Sequence, residues 1–455
     1  MSDLLSLLGL GSAGLLAQRS GVAVATNNAA NVNTVGYSRQ RVDLHAEIGA
    51  PEVGGVSTGN PHRIADDLLA NRERDAAGDL GLSKAVSQSL LDLEQSVAGT
   101  GPTLDQQIAN VFGRLNTASA TPLDDNLRSA ALTAARDLVS GINQRAAATQ
   151  AIRSEFDARV RDAAKTATGL AADLAKTNDA LQAKDDPVLR DRRDQDAKQL
   201  AAIVGGSARI DPDGQMRFVL EGGAVLVDGT RAAQVQATTD PTTHFAKVEI
   251  VDGTARRDVT GNLQRGEMAG YLQARDQDGA QAANSLDQLA SDLATSVNAI
   301  HSANAGTDGV TGRNLFTPLA GVAGAAAALR LDPTVAADPR KLALAGPGAG
   351  AGDNAGARAL VALKDSRIAA GGTRTLGDAA IDLVQVIGTG AARAKDDSAR
   401  DTALTDSLAT LRNSVSGVDL DEELANLSRF QHASEAMTKF VSTVDSLLGS
   451  IINGL

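Results

Sequence analysis

The sequence lacks cysteine and tryptophan, and aromatic residues make up only 2% of its 455 residues. Without cysteine the chain can form no disulfide, use no thiol in catalysis and bind no zinc through sulfur ligands. With so few aromatic side chains, the core must be built from Leu, Ile, Val and Ala. This composition favours closely packed helices over a broad sheet, in a chain long enough for roughly two to four domains.

The sequence also lacks an excess of basic residues, since its formal net charge is −12 at pH 7. Arginine and lysine are scattered and have acidic residues between them, as in the run Arg72-Glu73-Arg74. A surface of this sign repels the phosphates of nucleic acids and of anionic membranes. The charge therefore predicts no nucleic-acid partner.

Long hydrophobic runs are missing as well. The most apolar stretch, Leu4–Ala17, is about fourteen residues long and is interrupted by Gly and Ser, whereas a helix needs about 20 residues to span a bilayer. Asp3 stands where a secretory signal would carry a basic residue. The pattern predicts no membrane insertion and no cleaved signal, so export would require a route that reads an uncleaved N-terminus.

Catalytic and ligand-binding motifs are not evident. Gly9, Gly11 and Gly14 match the dinucleotide-binding spacing, but no strand precedes them and no acidic residue lies between Asp3 and Asp43. The five histidines are too scattered for a metal site with recognisable spacing. The sequence therefore predicts no enzyme, no cofactor and no metal.

The two termini carry matching apolar stripes. From Leu4, alternating steps of four and three reach Leu8, Gly11, Leu15, Gln18, Val22, Ala25, Ala29 and Val32. From Phe430, steps of three and four reach Ala433, Met437, Phe440, Val444, Leu447 and Ile451, with Leu420, Leu424 and Leu427 upstream. Such spacing is close to a heptad and predicts paired, coiled-coil-like helices. The pattern leaves two interpretations open: a helix pair packed on its own domain, or ends that become ordered when copies pack side by side.

The region between the termini predicts a helical body with a small β insertion. Long alanine-rich helices are expected over 61–203, short strands with Asp-Gly turns over 204–262, and helices again from Gly266, with short strands and loops over 304–356. The predicted fold class is mainly α, with paired terminal helices, a nested helical-bundle domain and an outer β-rich domain. The expected domains are 1–60 with 412–455, 61–203 with 263–411, and 204–262.

The terminal sequences resemble a known family. The run from Asn27 to Gln40, which reads NNAANVNTVGYSRQ, is similar to the N-terminal signature of the axial proteins of the bacterial flagellum, namely the rod, hook and hook-associated proteins. The run from Ser416 to Gln431, SGVDLDEELANLSRFQ, resembles the form found in the hook-associated protein 1 (FlgK) family. The β insertion is short for that family, so an outer domain of its larger members is expected to be missing.

The resemblance implies a structural protein at the hook–filament junction, assembled as a ring and exported by the flagellar type III apparatus. It also implies contacts with the hook protein and the second junction protein, and a cytoplasmic chaperone that holds the C-terminal helix before export. Alternatives are another axial protein (a hook, rod or second junction subunit), or a secreted adhesin or effector with helical ends.

The predicted assembly interface combines the two terminal stripes with the turn that follows the first helix. Within that turn, Asn27, Asn28 and Asn31 are expected to cap and bridge the helix end, Gly36 to allow the turn, and Tyr37 to anchor the extended segment. The full set is Leu4, Leu8, Leu15, Val22, Asn27, Asn28, Asn31, Gly36, Tyr37, Arg39, Gln40, Leu420, Leu424, Leu427, Phe430, Met437, Phe440, Val444, Leu447 and Ile451.

Overall fold

Long helices form most of the chain in the computed structural model, which describes residues 2–47 and 54–453. The helices are α1 (Ser2–Ala30), α2 (Asp67–Ala98), α3 (Leu104–Ala120), α4 (Asp125–Ala183), α5 (Pro187–Val204), α6 (Gly266–Gln273), α7 (Gly279–Ala303), α8 (Ala325–Ala328), α9 (Pro333–Ala337), α10 (Ala355–Ala362), α11 (Leu376–Ser416) and α12 (Leu420–Asn453). A π-helical turn, Ala274–Asp278, joins α6 to α7. The mainly helical fold class is confirmed.

The helices begin and end at residues whose side chains or backbone suit those positions. Asp66 caps α2 by accepting a hydrogen bond from the backbone of Leu69, and Asp186 caps α5, in which Pro187 is the first residue. Gly99 and Gly205 end α2 and α5 with φ of 69° and 68°, values that favour glycine. The end of α5 at Val204 agrees with the predicted change from helices to strands near residue 204.

Seven strands occupy the predicted β insertion. They are β5 (Ser207–Ile210), β6 (Met216–Val219), β7 (Val225–Asp228), β8 (Arg231–Ala232), β9 (Gln234–Thr239), β10 (Ala246–Asp252) and β11 (Ala255–Asp258). They form two antiparallel sheets with strand orders β5-β6-β7-β8 and β11-β10-β9. Gly214, Gly229 and Gly253 have φ of 82°, 61° and 59° in the turns that connect neighbouring strands.

Two further strand pairs follow α1 and were not predicted. Here β1 (Gln40–Arg41) pairs with β4 (His62–Arg63), and β2 (Leu44–Glu47) pairs with β3 (Gly55–Thr58). By contrast, the strands expected over 304–356 are absent from that described segment, apart from isolated bridges such as Ala305 with Ala345. The segment instead forms the short helices α8 and α9, a 3₁₀ turn at Pro339–Lys341, and irregular turns.

Two hydrophobic cores lie along α4, whose 59 residues span about 90 Å at a rise of about 1.5 Å per residue. The first core joins the N-terminal half of α4 to α2, α3, α7, α10 and α11. The second joins its C-terminal half to α5, α6 and the sheets of the β insertion. The sheets thus share a core with helices that lie before and after them in the chain, and the division into three domains stays a prediction.

One segment meets a simple criterion for a membrane span. Within the described residues, Leu4–Ala30 of α1 is long and apolar enough by length and composition alone. The prediction of no membrane insertion rested on the shorter run Leu4–Ala17, whereas this segment continues to the end of α1. One helix of this kind near the N-terminus is weak evidence for a span, and in this structure it packs against α12.

Candidate assembly site

The first and last helices of the chain lie side by side, as predicted. Their direction follows from three glycines of α1. A Cβ added at Gly11 would lie 2.7 Å from a Val441 methyl, one at Gly14 would lie 3.2 Å from the Met437 sulfur, and one at Gly21 would lie 2.7 Å from the Phe430 ring. Because later residues of α1 meet earlier residues of α12, the two helices are antiparallel. Because glycine has no side chain, the two helix axes approach each other closely at these positions.

The face of α1 that meets α12 lies about one residue earlier than the predicted stripe. The buried positions are Gly11, Gly14, Ala17, Gly21, Val24, Ala25 and Asn28. The predicted residues Leu4, Leu8, Leu15 and Val22 are only half-buried and lie at the edge of this face. A search for apolar spacing favours leucine and valine, whereas close helix packing here depends on small residues.

On α12 the side that faces α1 repeats in steps of four and three. It comprises Glu423, Leu427, Phe430, Ser434, Met437, Val441, Val444 and Leu448, all of them buried or half-buried. The predicted residues Leu427, Phe430, Met437 and Val444 belong to this set. The other predicted residues of α12 are exposed in the single chain, namely Leu420, Leu424, Leu447 and Ile451. Phe440 is 37% exposed, but its ring also packs beside Gly11 of α1.

Asn28 connects the end of α1 to the returning chain. Its side chain is 1% exposed, and its Nδ2 donates a hydrogen bond to the carbonyl of Gln40 at 2.8 Å. Its Oδ1 accepts hydrogen bonds from the Tyr37 hydroxyl at 2.8 Å and from the Gln40 backbone N–H at 2.9 Å. Both the oxygen and the nitrogen of the side-chain amide therefore have hydrogen-bond partners. These bonds compensate for the desolvation cost of burying the amide.

The turn between Asn28 and Tyr37 is held by local hydrogen bonds. The Asn31 side chain donates to the carbonyl and side-chain oxygens of Asn27 at 2.9 and 2.8 Å, and the Thr34 hydroxyl donates to the Asn31 Oδ1 at 3.1 Å. Gly36 has a φ of 86°, in the region that only glycine adopts readily. The predicted roles of these residues in the turn match this geometry, while a role in assembly stays a prediction.

Arg39 joins this turn to the start of α12. Its Nε donates to Glu423 at 2.7 Å, and its two terminal nitrogens donate to both Glu422 oxygens at 2.9 and 2.6 Å. Its backbone N–H donates to the carbonyl of Ser416 at 2.8 Å. Since the Glu423 side chain is 3% exposed and that of Glu422 is 55% exposed, the buried Glu423 depends on Arg39 far more than Glu422 does.

A second set of contacts fixes the same turn to the helical body. The Ser38 backbone N–H donates to Asp191 of α5 at 2.8 Å, and Asp191 also binds Arg63 at 3.0 Å. Arg412, near the end of α11, donates to the Gly36 carbonyl at 2.7 Å. The turn therefore connects three parts of the molecule: the terminal helix pair, α5 and α11.

Electrostatics at this junction favour the ion pairs that the geometry shows. Burial, with Asp191 and Glu423 nearby, raises the pKa of Tyr37 to about 12, so its hydroxyl stays a donor to Asn28. The hydrogen bonds that Arg39 donates to Glu422 lower the pKa of Glu422 and raise the pKa of Arg39. Each effect holds the group in the protonation state that the contact needs.

A cavity of about 490 Å³ lies beneath the turn, between α2, α5 and the end of α11. Its charged lining residues form ion pairs with one another: Arg63 with Asp191 and Asp194, Arg74 with Asp194, and both Lys198 and Arg412 with Glu73. Because these charges are paired with one another, the lining serves to hold α2, α5 and α11 together and offers no unpaired charge of these residues to a ligand. Within residues 2–47 and 54–453, no cluster of His, Asp or Glu could hold a metal ion.

Sequence reasoning missed several residues of this site. Glu423 and Ser416 lie within the C-terminal motif, whose sequence does not indicate that they contact Arg39. Asp191 and Arg412 lie far from the N-terminal motif in sequence, at 153 residues from Ser38 and 376 from Gly36. The one available signal was the run of three acidic residues, Asp421–Glu423, in the C-terminal motif, whose charge is opposite to that of Arg39 in the N-terminal motif.

Comparisons with known proteins agree with the terminal motifs. A family model described as the flagellar hook-associated protein FlgK helical domain matches residues 90–316, and one described as the flagellar basal body rod FlgEFG protein C-terminal matches residues 412–454. The first match covers the end of α2 and the chain from α3 through α7, and the second covers the end of α11 and all of α12.

Full-length relatives and a solved structure point in the same direction. Flagellar hook-associated protein 1 of Escherichia coli (strain K12) is 26% identical over 551 aligned positions, which cover 98% of this chain and 99% of that protein. The protein of the same description from Bacillus subtilis (strain 168) is 25% identical, covering 97% and 96%. The structure of the flagellar hook junction protein FlgK from Burkholderia pseudomallei aligns with a TM-score of 0.71 and 16% identity, over 76% of this chain and all of that one. That likeness shows the fold.

Proposed function

This chain belongs to the FlgK family of flagellar hook-associated proteins, and from that membership we propose that it forms the junction between the hook and the filament. The family is a structural component of the flagellum and not a family of enzymes. The proposed mechanism is assembly: copies of the chain pack through their terminal helices into a ring. One end of the ring meets the hook and the other carries the next axial protein.

The observation that supports this proposal most is the exposed outer face of the terminal helix pair. On α12, Leu424 is 50% exposed and Leu447 is 49% exposed, and on α1, Leu16 is 66% exposed. Large aliphatic side chains exposed along two neighbouring helices are a common mark of a protein–protein interface. Burial against another copy would contribute about 25 cal/mol for each Å² of apolar surface.

The junction of Asn28, Tyr37 and Arg39 supports the same mechanism. It connects the helix pair to the body through satisfied hydrogen bonds, so that the outer faces are presented in one orientation. A ring needs this, because identical subunits close into a ring only when each presents its contact surfaces at the same angle.

Export before assembly belongs to the proposal. The chain would leave through the flagellar type III apparatus, and a cytoplasmic chaperone would hold α12 until then. The exposed outer face supports this step, because an unpaired apolar helix surface promotes aggregation until its partner arrives. The hook protein and the second junction protein are the proposed neighbours in the assembled structure.

The test is deletion of the gene followed by complementation. Deletion is expected to give hooks without filaments and flagellin released into the medium, as seen by electron microscopy and by assay of the medium. The wild-type gene should restore filaments. A gene carrying Leu424→Lys with Leu447→Lys should not, because each charge replaces a large apolar side chain that is exposed on α12.

The matched control is Leu123→Lys, which changes an exposed leucine in the turn between α3 and α4 and is expected to restore filaments. Normal filaments and swimming after deletion would contradict the junction proposal and favour a secreted adhesin or effector. Loss of the hook itself would instead place the chain among rod or hook subunits, the class that the match over 412–454 also describes.

A further inference from the structure

A groove on the helical body lies apart from the terminal helices. It runs between α7 and α11, has a volume of about 230 Å³, and is lined in its middle by Leu90 of α2, Leu289 of α7, and Leu383 and Val386 of α11. The α7 side extends from Asp278 to Asp292, which is about 20 Å along a helix. The groove is therefore long, apolar in its middle and bordered by carboxylates.

The carboxylates at the two ends differ in their partners. Near one end, Asp292 accepts hydrogen bonds from the Gln288 side chain at 2.8 Å and from the Ala370 backbone at 3.1 Å. Asp382 pairs there with Arg374 at 2.9 Å, and Arg374 is the only basic residue among those that line the groove. At the other end, the buried Oδ2 of Asp278 has no hydrogen-bond partner. The groove therefore has an excess of negative charge.

The position of Asp278 results from an irregularity in the helix. Asp278 ends the π-helical turn Ala274–Asp278, and π-helical turns within α-helices occur frequently at functional sites. Burial raises the pKa of Asp278 above its ordinary value, and the nearby Gln273 side chain offsets only part of this rise. A buried carboxylate oxygen without a donor is costly in free energy, and a cationic group beside it would lower that cost.

We propose that this groove binds an amphipathic helix of a partner protein, whose aliphatic side chains fill the apolar middle and whose Lys or Arg lies beside Asp278. The excess of carboxylates selects a basic helix. A helix fits better than a compact ligand, because the apolar lining continues from buried Leu289 to Val386, which is 56% exposed at the rim. Anchors spaced at i, i+4 and i+7 would follow such a rim.

The test uses the full chain and two synthetic helical peptides that share leucines at i, i+4, i+7 and i+11. One peptide carries lysines on either side of the leucines and the other carries glutamates. Binding is measured by fluorescence anisotropy at physiological salt, where long-range attraction to the acidic chain is screened. We expect saturable binding of the lysine peptide and at least tenfold weaker binding of the glutamate peptide.

Two variants of α11 locate the binding. Val386→Lys places a charge on the rim of the groove and is expected to weaken binding of the lysine peptide at least tenfold. Ile381→Lys is the matched control, since Ile381 is also exposed (49%) and lies on the same helix but does not line the groove. Asp278→Asn should weaken binding of the lysine peptide several-fold and leave that of the glutamate peptide unchanged.

Two results would overturn the proposal. Equal weakening by Val386→Lys and Ile381→Lys would show attraction to the overall charge and no binding in the groove. Binding of dodecylammonium that Val386→Lys abolishes, without binding of either peptide, would show a site for a small cationic amphiphile. Helix content by circular dichroism verifies that each variant is folded.

Discussion

The helical body and the terminal helix pair use their apolar residues in different ways. In the body, Leu93, Leu138 and Ile142 are fully buried, and the Phe112 side chain is 1% exposed. In the terminal pair, the buried apolar side chains are smaller or fewer, such as Ala17, Val24 and Val444, while large residues such as Leu16 and Leu424 remain exposed. The body thus buries most of its large apolar side chains within its own core. The terminal helix pair leaves a substantial part of its apolar surface exposed and available for other subunits.

Stability and assembly therefore depend on different regions of this chain. A two-helix pair offers little interior, and each buried aliphatic side chain contributes about 1.5–3 kcal/mol at most. The attachment of the terminal helix pair to the rest of the chain therefore depends strongly on the hydrogen bonds and ion pairs of Arg39. No single contact in the body has a comparable role. Variants in the two regions should separate these contributions.

The largest effect is expected from Arg39→Met. It leaves the buried Glu423 carboxylate without its partner, and removal of one member of a buried ion pair typically costs about 3–5 kcal/mol. The terminal pair should open while the body stays folded. Hydrogen exchange measured by mass spectrometry should show loss of protection in α12 and unchanged protection in α4.

Glu422→Gln is the control for Arg39→Met, because Glu422 is half-exposed and contributes little. It should leave the protection of α12 nearly unchanged. If the two variants lost equal protection, the attachment of α12 would not depend on the buried pair.

The second prediction concerns the body. Leu138→Ala removes a fully buried side chain of α4 and should lower the free energy of unfolding by about 2–5 kcal/mol. Leu448→Ala, in α12, should change that value by less than about 1 kcal/mol, since the terminal pair is not part of the body core. Urea unfolding followed by circular dichroism measures both values. Equal effects would show that the pair and the body unfold as one unit.

The third prediction tests the close approach of the terminal helices. Gly21→Leu places a side chain where even a Cβ would lie 2.7 Å from the Phe430 ring, and such overpacking typically costs about 1–3 kcal/mol. Exchange in α12 should accelerate near Phe430. The double variant Gly21→Ala with Phe430→Ala should restore part of the protection. If Gly21→Leu left hydrogen exchange in α12 unchanged, the two helices would not be in close contact.

The helices, the β insertion and the pairing of the ends could be predicted from the sequence, because periodicity, Asp-Gly turns and capping residues act locally. The face of α1 could not, since Gly14 and Gly21 lie outside the apolar stripe counted from Leu4 yet are the positions against which Met437 and Phe430 pack. The partner of Ser38 could not be predicted either, because Asp191 is 153 residues away. Contacts of that range depend on how α5 packs, and one sequence does not contain that information in its local pattern.

The smallest effect that sharpens the comparison is a pH dependence confined to the body. His301 of α7 is fully buried, with Nδ1 donating to the Arg313 carbonyl at 2.7 Å and Nε2 accepting from the Ala343 N–H at 3.0 Å. Burial lowers the pKa of His301, and Asp332 and Arg313 act on it in opposite directions. Protonation would remove the acceptor for Ala343.

Because the folded pKa of His301 is below its unfolded value of about 6.5, its contribution to stability is fully present above that pH. It is lost as the pH falls through the folded pKa, with a slope of at most about 1.4 kcal/mol per pH unit. His301→Gln keeps one donor and one acceptor and should remove this slope from urea unfolding of the body between pH 7 and 5. The terminal pair has no buried histidine among its described residues, so exchange in α12 should show the same pH dependence in both proteins. A slope that persisted in His301→Gln would assign the acid sensitivity of the body to its carboxylates.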